Sequence, residues 1–117
     1  MLTQEKLIQF CNDDSVAVTA YSPLGRGSLL KDVKIKSIAE KHRKTPAQVL
    51  IRYQIERGVI VIPKSVNSTR IKENFNVFDF QLSFDDLKQI NSLNNNTRIS
   101  DVAYAKNHKY YPFNEPF

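Results

Sequence analysis

Lys64, Ser65, Arg70, Glu73 and Asn74 fall in one stretch, VIVIPKSVNSTRIKEN, and their types suit the binding of a phosphorylated ligand. Lys64 and Ser65 follow an apolar run, and Arg70 lies in the first turn of a helix that Asn67 is placed to cap. Unpaired amides, the helix dipole, a point-charge ammonium and a planar guanidinium all favour an anion at such a place. An arginine in a solvated first turn opposes the dipole by about a few tenths of a kcal/mol, so a bound anion gives its placement a reason. Glu73 adds an acceptor and Asn74 a mixed donor and acceptor, a set suited to the amino group and ring nitrogen of an adenine. The same spacing also fits an ordinary helix with a solvated polar side.

The elements that would position these residues can be read around them. Residues 59–63 are apolar without alternation, which predicts a strand buried on both faces of a parallel sheet, with Lys64 and Ser65 at its carboxyl end. In the following helix Arg70, Glu73 and Asn74 share one face. Ile71, Phe75 and Phe78 form an apolar stripe expected to pack, and Val66 with Ile71 forms a hydrophobic staple. Upstream, Thr3 is expected to cap a helix through about Cys11, and residues 16–21 read as a short strand. Residues 22–28 read as a loop at its carboxyl end. Tyr21, closing that strand, suits either a ring stacked on a flat ligand or a core tyrosine with a satisfied hydroxyl. Asp32 opens an amphipathic helix carrying Ile35, Ile38 and Ala39 and closing near His42. Thr45, Pro46 and Gln48 form a capping box for a second helix that stops at Gly58. Ser83 and Asp86 begin a last helix stapled by Leu82 and Leu87. From Asn94 the cluster NNNT and an aromatic tail carry no clear period.

This alternation predicts β-α-β crossovers around parallel strands. Two doubly buried strands need neighbours on both edges, and the chain supplies one pairing. It therefore reads as a sector of a larger sheet, or as a chain that must associate, and its open apolar edge predicts aggregation when alone.

The 117 residues, 41% of them hydrophobic, suffice for one small domain. The formal charge of +5 is scattered, which suits small phosphates more than a nucleic-acid groove. Cys11 is the sole cysteine, so no intramolecular disulfide is expected, and without a signal-like apolar start a reducing, cytoplasmic setting is expected. No run approaches the length of about 18 apolar residues that a membrane span needs. His42 suits the negative end of a helix dipole, His108 a surface or packing role, and one cysteine with two histidines at unrelated spacings predicts no metal site.

The stretch IPKSVNSTRIKENFNVFDF resembles the cofactor-binding segment of the aldo-keto reductases, NADPH-dependent oxidoreductases built on an eight-stranded (β/α) barrel. TAYSPLG, KTPAQVLIRYQIERG and YPFNE extend the resemblance in the same order over nearly the whole chain from Leu2. It lies with the family's C-terminal part. The resemblance implies an α/β fold that is a partial TIM (β/α)8 barrel: the last two β/α units plus a C-terminal helix and tail. Residues 1–117 would be a single incomplete domain, a fragment, with 94–117 as its loop and tail.

It further implies that Tyr21 stacks on a nicotinamide and that the loop of Ser22, Leu24 and Arg26 folds over the pyrophosphate. Between Gly25 and Asp32 this loop is shorter than the closing segment of some members. Lys64, Ser65 and Arg70 would hold the 2′-phosphate, with Glu73 and Asn74 on adenine. Two cations favour NADP over NAD. Residues 99–106 align with a specificity loop, which makes Ser100, Val102 and Tyr104 candidate pocket residues. The family's tyrosine, lysine, aspartate and histidine for carbonyl reduction match no segment here, so no catalytic residue is assigned. The chain alone is expected to lack the proton donor. The implied function is the cofactor-binding part of a reductase whose complete form takes a small carbonyl substrate. The alternative is a short non-catalytic protein that binds NADP or completes a partner's sheet. No nucleic acid, membrane or metal partner is expected.

Overall fold

The computed structural model describes residues 1–114; residues 115–117, including the last residue of the YPFNE motif, lie outside them. Two helices, α2 (Val33–His42) and α3 (Pro46–Glu56), carry most of the core. The predicted starts of both are present. The Asp32 carboxylate accepts from the amides of Lys34 and Ile35 at 2.8 and 3.3 Å. At α3, Thr45 Oγ1 accepts from the Gln48 amide and Gln48 Oε1 from the Thr45 amide, closing the capping box with Pro46 in the first turn. Gly58 ends α3 at φ 71, with nothing within 4 Å of where a Cβ would stand. Backbone geometry, not space, asks for glycine there. Ile35, Ile38 and Ala39 of α2 meet Val49, Leu50 and Tyr53 of α3, and Leu82 and Ile90 close the cluster. Ile35, Ile38 and Ala39 are the stripe expected for α2 from its period.

Two short strands, β1 (Thr19–Ala20) and β2 (Ile60–Val61), pair in parallel with Thr19 opposite Ile60 and Ala20 opposite Val61. Both are shorter than the spans 16–21 and 59–63 expected from the sequence. The double burial expected for 59–63 is also absent. Val59 is buried, but Ile60 is 51% and Ile62 62% exposed. Side chains alternate between the faces of a strand, and here only the face of Val59 has a helix layer over it. Among the described residues nothing covers the face of Ile60 and Ile62, and neither strand has a second pairing partner.

The first helix, α1 (Glu5–Asp13), departs from expectation at its start. Gln4, at φ 54, is the capping position, and Asp13 rather than Cys11 ends the helix. Thr3 is buried instead, its amide donating to Asn94 Oδ1 at 3.4 Å and its carbonyl accepting from the Arg57 guanidinium. The NNNT segment thus acquires a role that no period signals: the Met1 amino group donates to Asn95 Oδ1 and the Asn95 amide to the Met1 carbonyl. Residues 25–31, expected in part as open loop, coil into a 3-10 helix kinked at Arg26 and Gly27.

After β2, α4 (Ser68–Phe75) starts at Asn67, whose Oδ1 accepts from the Arg70 amide at 3.0 Å. The predicted staple and stripe do not pack. Val66 is 82% exposed, Ile71, Phe75 and Phe78 are all exposed, and Phe78 lies past the helix end. The rings of Phe75 and Phe78 meet edge to face at 5.8 Å instead. The last α-helix, α5 (Phe84–Asn91), starts at Ser83 and Asp86 as expected, and the two residues close a capping box there. Asp86 is buried, and its carboxylate also takes Lys41 Nζ at 2.9 and 3.0 Å and His42 Nε2 at 2.8 Å. The end of α2 is thereby tied to the start of α5, a contact of His42 that the dipole reading does not include. Among the described residues no helix is long and apolar enough to cross a membrane.

Candidate functional site

Tyr21 follows β1 directly and is 73% exposed, which excludes the buried-core alternative for this ring. The chain then turns sharply. Ser22, Gly25, Arg26 and Gly27 all take positive φ, the Gly25 amide donates to the Ser22 carbonyl at 2.9 Å, and Ser28 Oγ donates to the Gly25 carbonyl at 2.7 Å. A Cβ on Gly25 would stand 2.9 Å from Leu29 Cγ, so both space and backbone require glycine there. The turn points its residues apart. Leu24 packs against the core, while Arg26 stays exposed and has no carboxylate partner among the described residues. A ligand over this loop would meet the Tyr21 ring, the Ser22 hydroxyl and the Arg26 cation, with Leu24 behind them.

The second group is built at the end of β2. Lys64 is exposed, and Ser65 Oγ accepts from the Asn67 amide at 3.2 Å, making the turn that leads into α4. With Asn67 capping Arg70, the amides of Ser68 and Thr69 keep no partner among the described residues. Neither Lys64 nor Arg70 pairs with a carboxylate among those residues. Lys41, Lys44 and Arg52 do, with Asp86, Asp79 and Glu56. Free cations beside free amides are what an anion needs. Glu73 and Asn74, both half-buried, follow Arg70 by three and four residues and so lie on its side of α4. The Glu73 carbonyl is engaged from α3, where Gln48 Nε2 donates to it at 3.1 Å and to the Asn76 carbonyl at 3.0 Å.

A cavity of about 430 Å³, within the range of small-molecule sites, opens between β1, α1 and the tail. Tyr21 and Ser22 line it together with Ser100 and Val102. Two of the predicted pocket residues therefore meet two of the predicted cofactor residues. Tyr104 does not join them: it is 93% exposed and absent from the lining. The group from Lys64 to Asn74 is also outside this cavity. The tail holds its own shape through the Tyr111 hydroxyl, which donates to the Asp101 carbonyl at 2.6 Å, and through Arg98 stacked over Phe113 at 3.9 Å. His108 is exposed, its Nδ1 accepting from the Tyr110 amide, and takes no part in the cavity.

Tyr53, to which the sequence assigns no role, also lines the cavity. Burial raises its phenol above the ordinary value, more than Arg57 lowers it, with Glu5 adding a small rise. The hydroxyl donates to Asn91 Oδ1, and the Arg57 guanidinium lies 4.8 Å from the ring centroid. Its burial and its bond to α5 make it a wall of the cavity, and the helical stripe of α3 was the available signal. Among the described residues no three His, Cys, Asp or Glu side chains are grouped so as to hold a metal ion.

Two parallel strands joined through helices place the chain in the broad class of α/β folds. Comparison with known proteins narrows that class. The profile of the Aldo/keto reductase family matches residues 1–95, and the chain belongs to that family. It is similar to aldo-keto reductase family 1 member C15 of Rattus norvegicus, 48% identical over 99% of this chain and 39% of that protein. Aldose reductase B of Dictyostelium discoideum is 52% identical over 87% of this chain and 33% of that protein. Among solved structures, the aldose reductase of Schistosoma japonicum superposes with a TM-score of 0.93 at 43% identity, over 99% of this chain and 38% of that one. A mutant of Gox0644 in complex with NADPH gives a TM-score of 0.81 at 42% identity, over 85% of this chain and 37% of that one. The chain thus spans about two fifths of the length of the relatives it matches.

Proposed function

We propose that this chain is the C-terminal, cofactor-binding part of an NADPH-dependent aldo-keto reductase barrel, contributing its last two β/α units, a final helix and the tail. The observation that carries the reading is at the start of α4: Lys64 and Arg70, both exposed and unpaired among the described residues, beside amides left open by the Asn67 cap. A 2′-phosphate would satisfy all of these groups at once, and a free ribose hydroxyl would leave the cations without a counter-charge. Support also comes from family membership and from the likeness to a structure that holds NADPH.

In this reading Lys64, Ser65 and Arg70 bind the phosphate and Glu73 and Asn74 orient the adenine. Ser22 and Arg26 follow the pyrophosphate beside the backbone of Leu24, and the Tyr21 ring stacks on the nicotinamide. The exposure of Tyr21 and Arg26 and the half-exposure of Ser22 fit a ligand laid across the open side of the loop. Bound NADPH supplies the hydride for reducing a carbonyl to an alcohol. The proton donor and its tuning groups would come from outside this chain, and no residue here is assigned to them. Ser100 and Val102 wall the substrate end of the cavity, with Tyr104 outside it.

The test is nucleotide binding by the protein as its source makes it, titrating NADPH and NADH separately and following the nucleotide's own fluorescence. NADPH is expected to bind at least about tenfold more tightly, equivalent to about 1.4 kcal/mol, and Arg70→Met to remove most of that preference. Equal affinities for the two nucleotides in the unsubstituted protein would overturn the assignment. A second reading, a non-catalytic protein whose sheet completes a partner, is favoured by the bare face of Ile60 and Ile62. It predicts that the native protein has the 13.5 kDa mass of this chain alone.

A further inference from the structure

We infer that Gln48 is a positioning residue for nucleotide recognition, holding α4 so that Arg70 meets the 2′-phosphate; the inference rests on the reading of α4 just given. α4 has no fully buried residue, and its apolar Ile71 and Phe75 are exposed, so side-chain burial does little to hold it. Among the described residues, the side-chain hydrogen bonds that reach α4 and its C-terminal cap from another element are the two that Gln48 Nε2 donates, to the Glu73 carbonyl at 3.1 Å and the Asn76 carbonyl at 3.0 Å. The Glu73 carbonyl lies in the last turn, where it also accepts from the Asn76 amide at 3.0 Å, and the Asn76 carbonyl stands at the C-cap. One buried amide ties both to α3.

The same amide is fixed at its other end. Gln48 Oε1 accepts from the Thr45 amide at 2.8 Å, so the capping box of α3 sets the rotamer that presents Nε2 to α4. Gln48, Arg52 and Glu56 stand four residues apart on one side of α3. All three grip the segment around and beyond α4: Arg52 donates to the Val77 carbonyl at 3.3 Å, and Glu56 Oε1 accepts from the Leu82 amide at 2.9 Å. Of the three, Gln48 is the one whose side chain hydrogen-bonds the helix carrying Arg70, Glu73 and Asn74. The position of that helix is therefore tied to the Gln48 side chain, which the Thr45 backbone amide orients whether or not the Thr45 hydroxyl is present.

Gln48→Glu separates the two functions of the side chain. A glutamate still accepts from the Thr45 amide, as in any capping box, but an ionised one cannot donate to the carbonyls of Glu73 and Asn76. Gln48→Met removes both ends of the amide without burying a charge. Thr45→Ala removes the cap hydroxyl and leaves the bonds to α4 in place. NADPH and NADH are titrated against each variant and against Arg70→Met, with melting temperature as the check on folding. Both Gln48 variants are expected to lower the NADPH-to-NADH affinity ratio about tenfold, which corresponds to about 1.4 kcal/mol, while Thr45→Ala lowers the melting temperature and leaves the ratio alone. Folded Gln48 variants with an unchanged ratio would overturn the inference, as would a Thr45→Ala that lowers the ratio equally. If Arg70→Met keeps the ratio, the reading of α4 itself fails and takes the inference with it. If Arg70→Met loses the ratio and the folded Gln48 variants keep it, only the inference fails.

Discussion

Asp86 shows how much one side chain can gather. Burial pushes its carboxyl up, but hydrogen bonds from His42, Lys41 and the Ser83 amide and hydroxyl outweigh that and hold it well below the usual carboxylate range. Because the folded group titrates below the unfolded value of about 3.9, the stability it contributes is fully present above about pH 4 and is lost as the pH falls further. The melting temperature is expected to decline from about pH 4 downward, and Asp86→Asn to flatten that decline while lowering stability at neutral pH. An unchanged acid limb in Asp86→Asn would assign it to other carboxylates. Asp79 moves the same way through its bond to Lys44, but it stands at the surface where solvent weakens the effect.

Among the elements, α3 organises the rest. Its capping box starts it, and its buried side supplies Val49, Leu50 and Tyr53 to the core. Its Gln48, Arg52 and Glu56 side reaches the segment around α4, and Gly58 turns the chain into β2. Since Gly58 sits at φ 71 with open space around it, Gly58→Ala isolates the backbone term. The substitution is expected to destabilise by about 1 kcal/mol and to lower the melting temperature by about 2–4 °C in a barrel-sized protein, with little change in nucleotide affinity. Thermal unfolding followed by circular dichroism reads this directly, and an unchanged midpoint would mean that the turn relaxes. α4 behaves differently: it is well capped but poorly buried, so its start is local and its position is borrowed.

At the scale of the molecule, the two-stranded sheet has a covered face and a bare one. Ile60 and Ile62 face outward on one side, and Phe75 and Phe78 stand beside a groove that includes Ile51, Ile55 and Val61. Surface of this kind is a liability in a chain left alone. The 117-residue chain by itself is expected to associate, and Ile60→Lys combined with Ile62→Lys to reduce the associated fraction measured by light scattering. Association that persists unchanged would point to the Phe75 and Phe78 groove instead. The chain spans about two fifths of its relatives' length, and under the function proposed above the other β/α units of the barrel would cover this bare surface.

What the sequence by itself determined is local: the caps at Asp32, Thr45, Asn67 and Ser83, the stop at Gly58, the apolar stripe of α2, and the parallel order of the two strands. Each depends on groups within a few residues or on a repeating period, and so is written in neighbouring side chains. The helix start inside the stretch from Lys64 to Asn74 was legible for the same reason, with Asn67 capping Arg70 as expected. Only the tertiary structure decided the rest. The apolar run 59–63 carries the composition of a doubly buried strand, but burial needs a covering layer, and one face has none among the described residues. Thr3 has the chemistry of a cap, yet long-range bonds to Asn94 and Arg57 claim its backbone and the helix starts after Gln4. Gln48 reads as half of a capping box, and its Nε2 finds carbonyls that are distant in sequence, a pairing that no local pattern encodes.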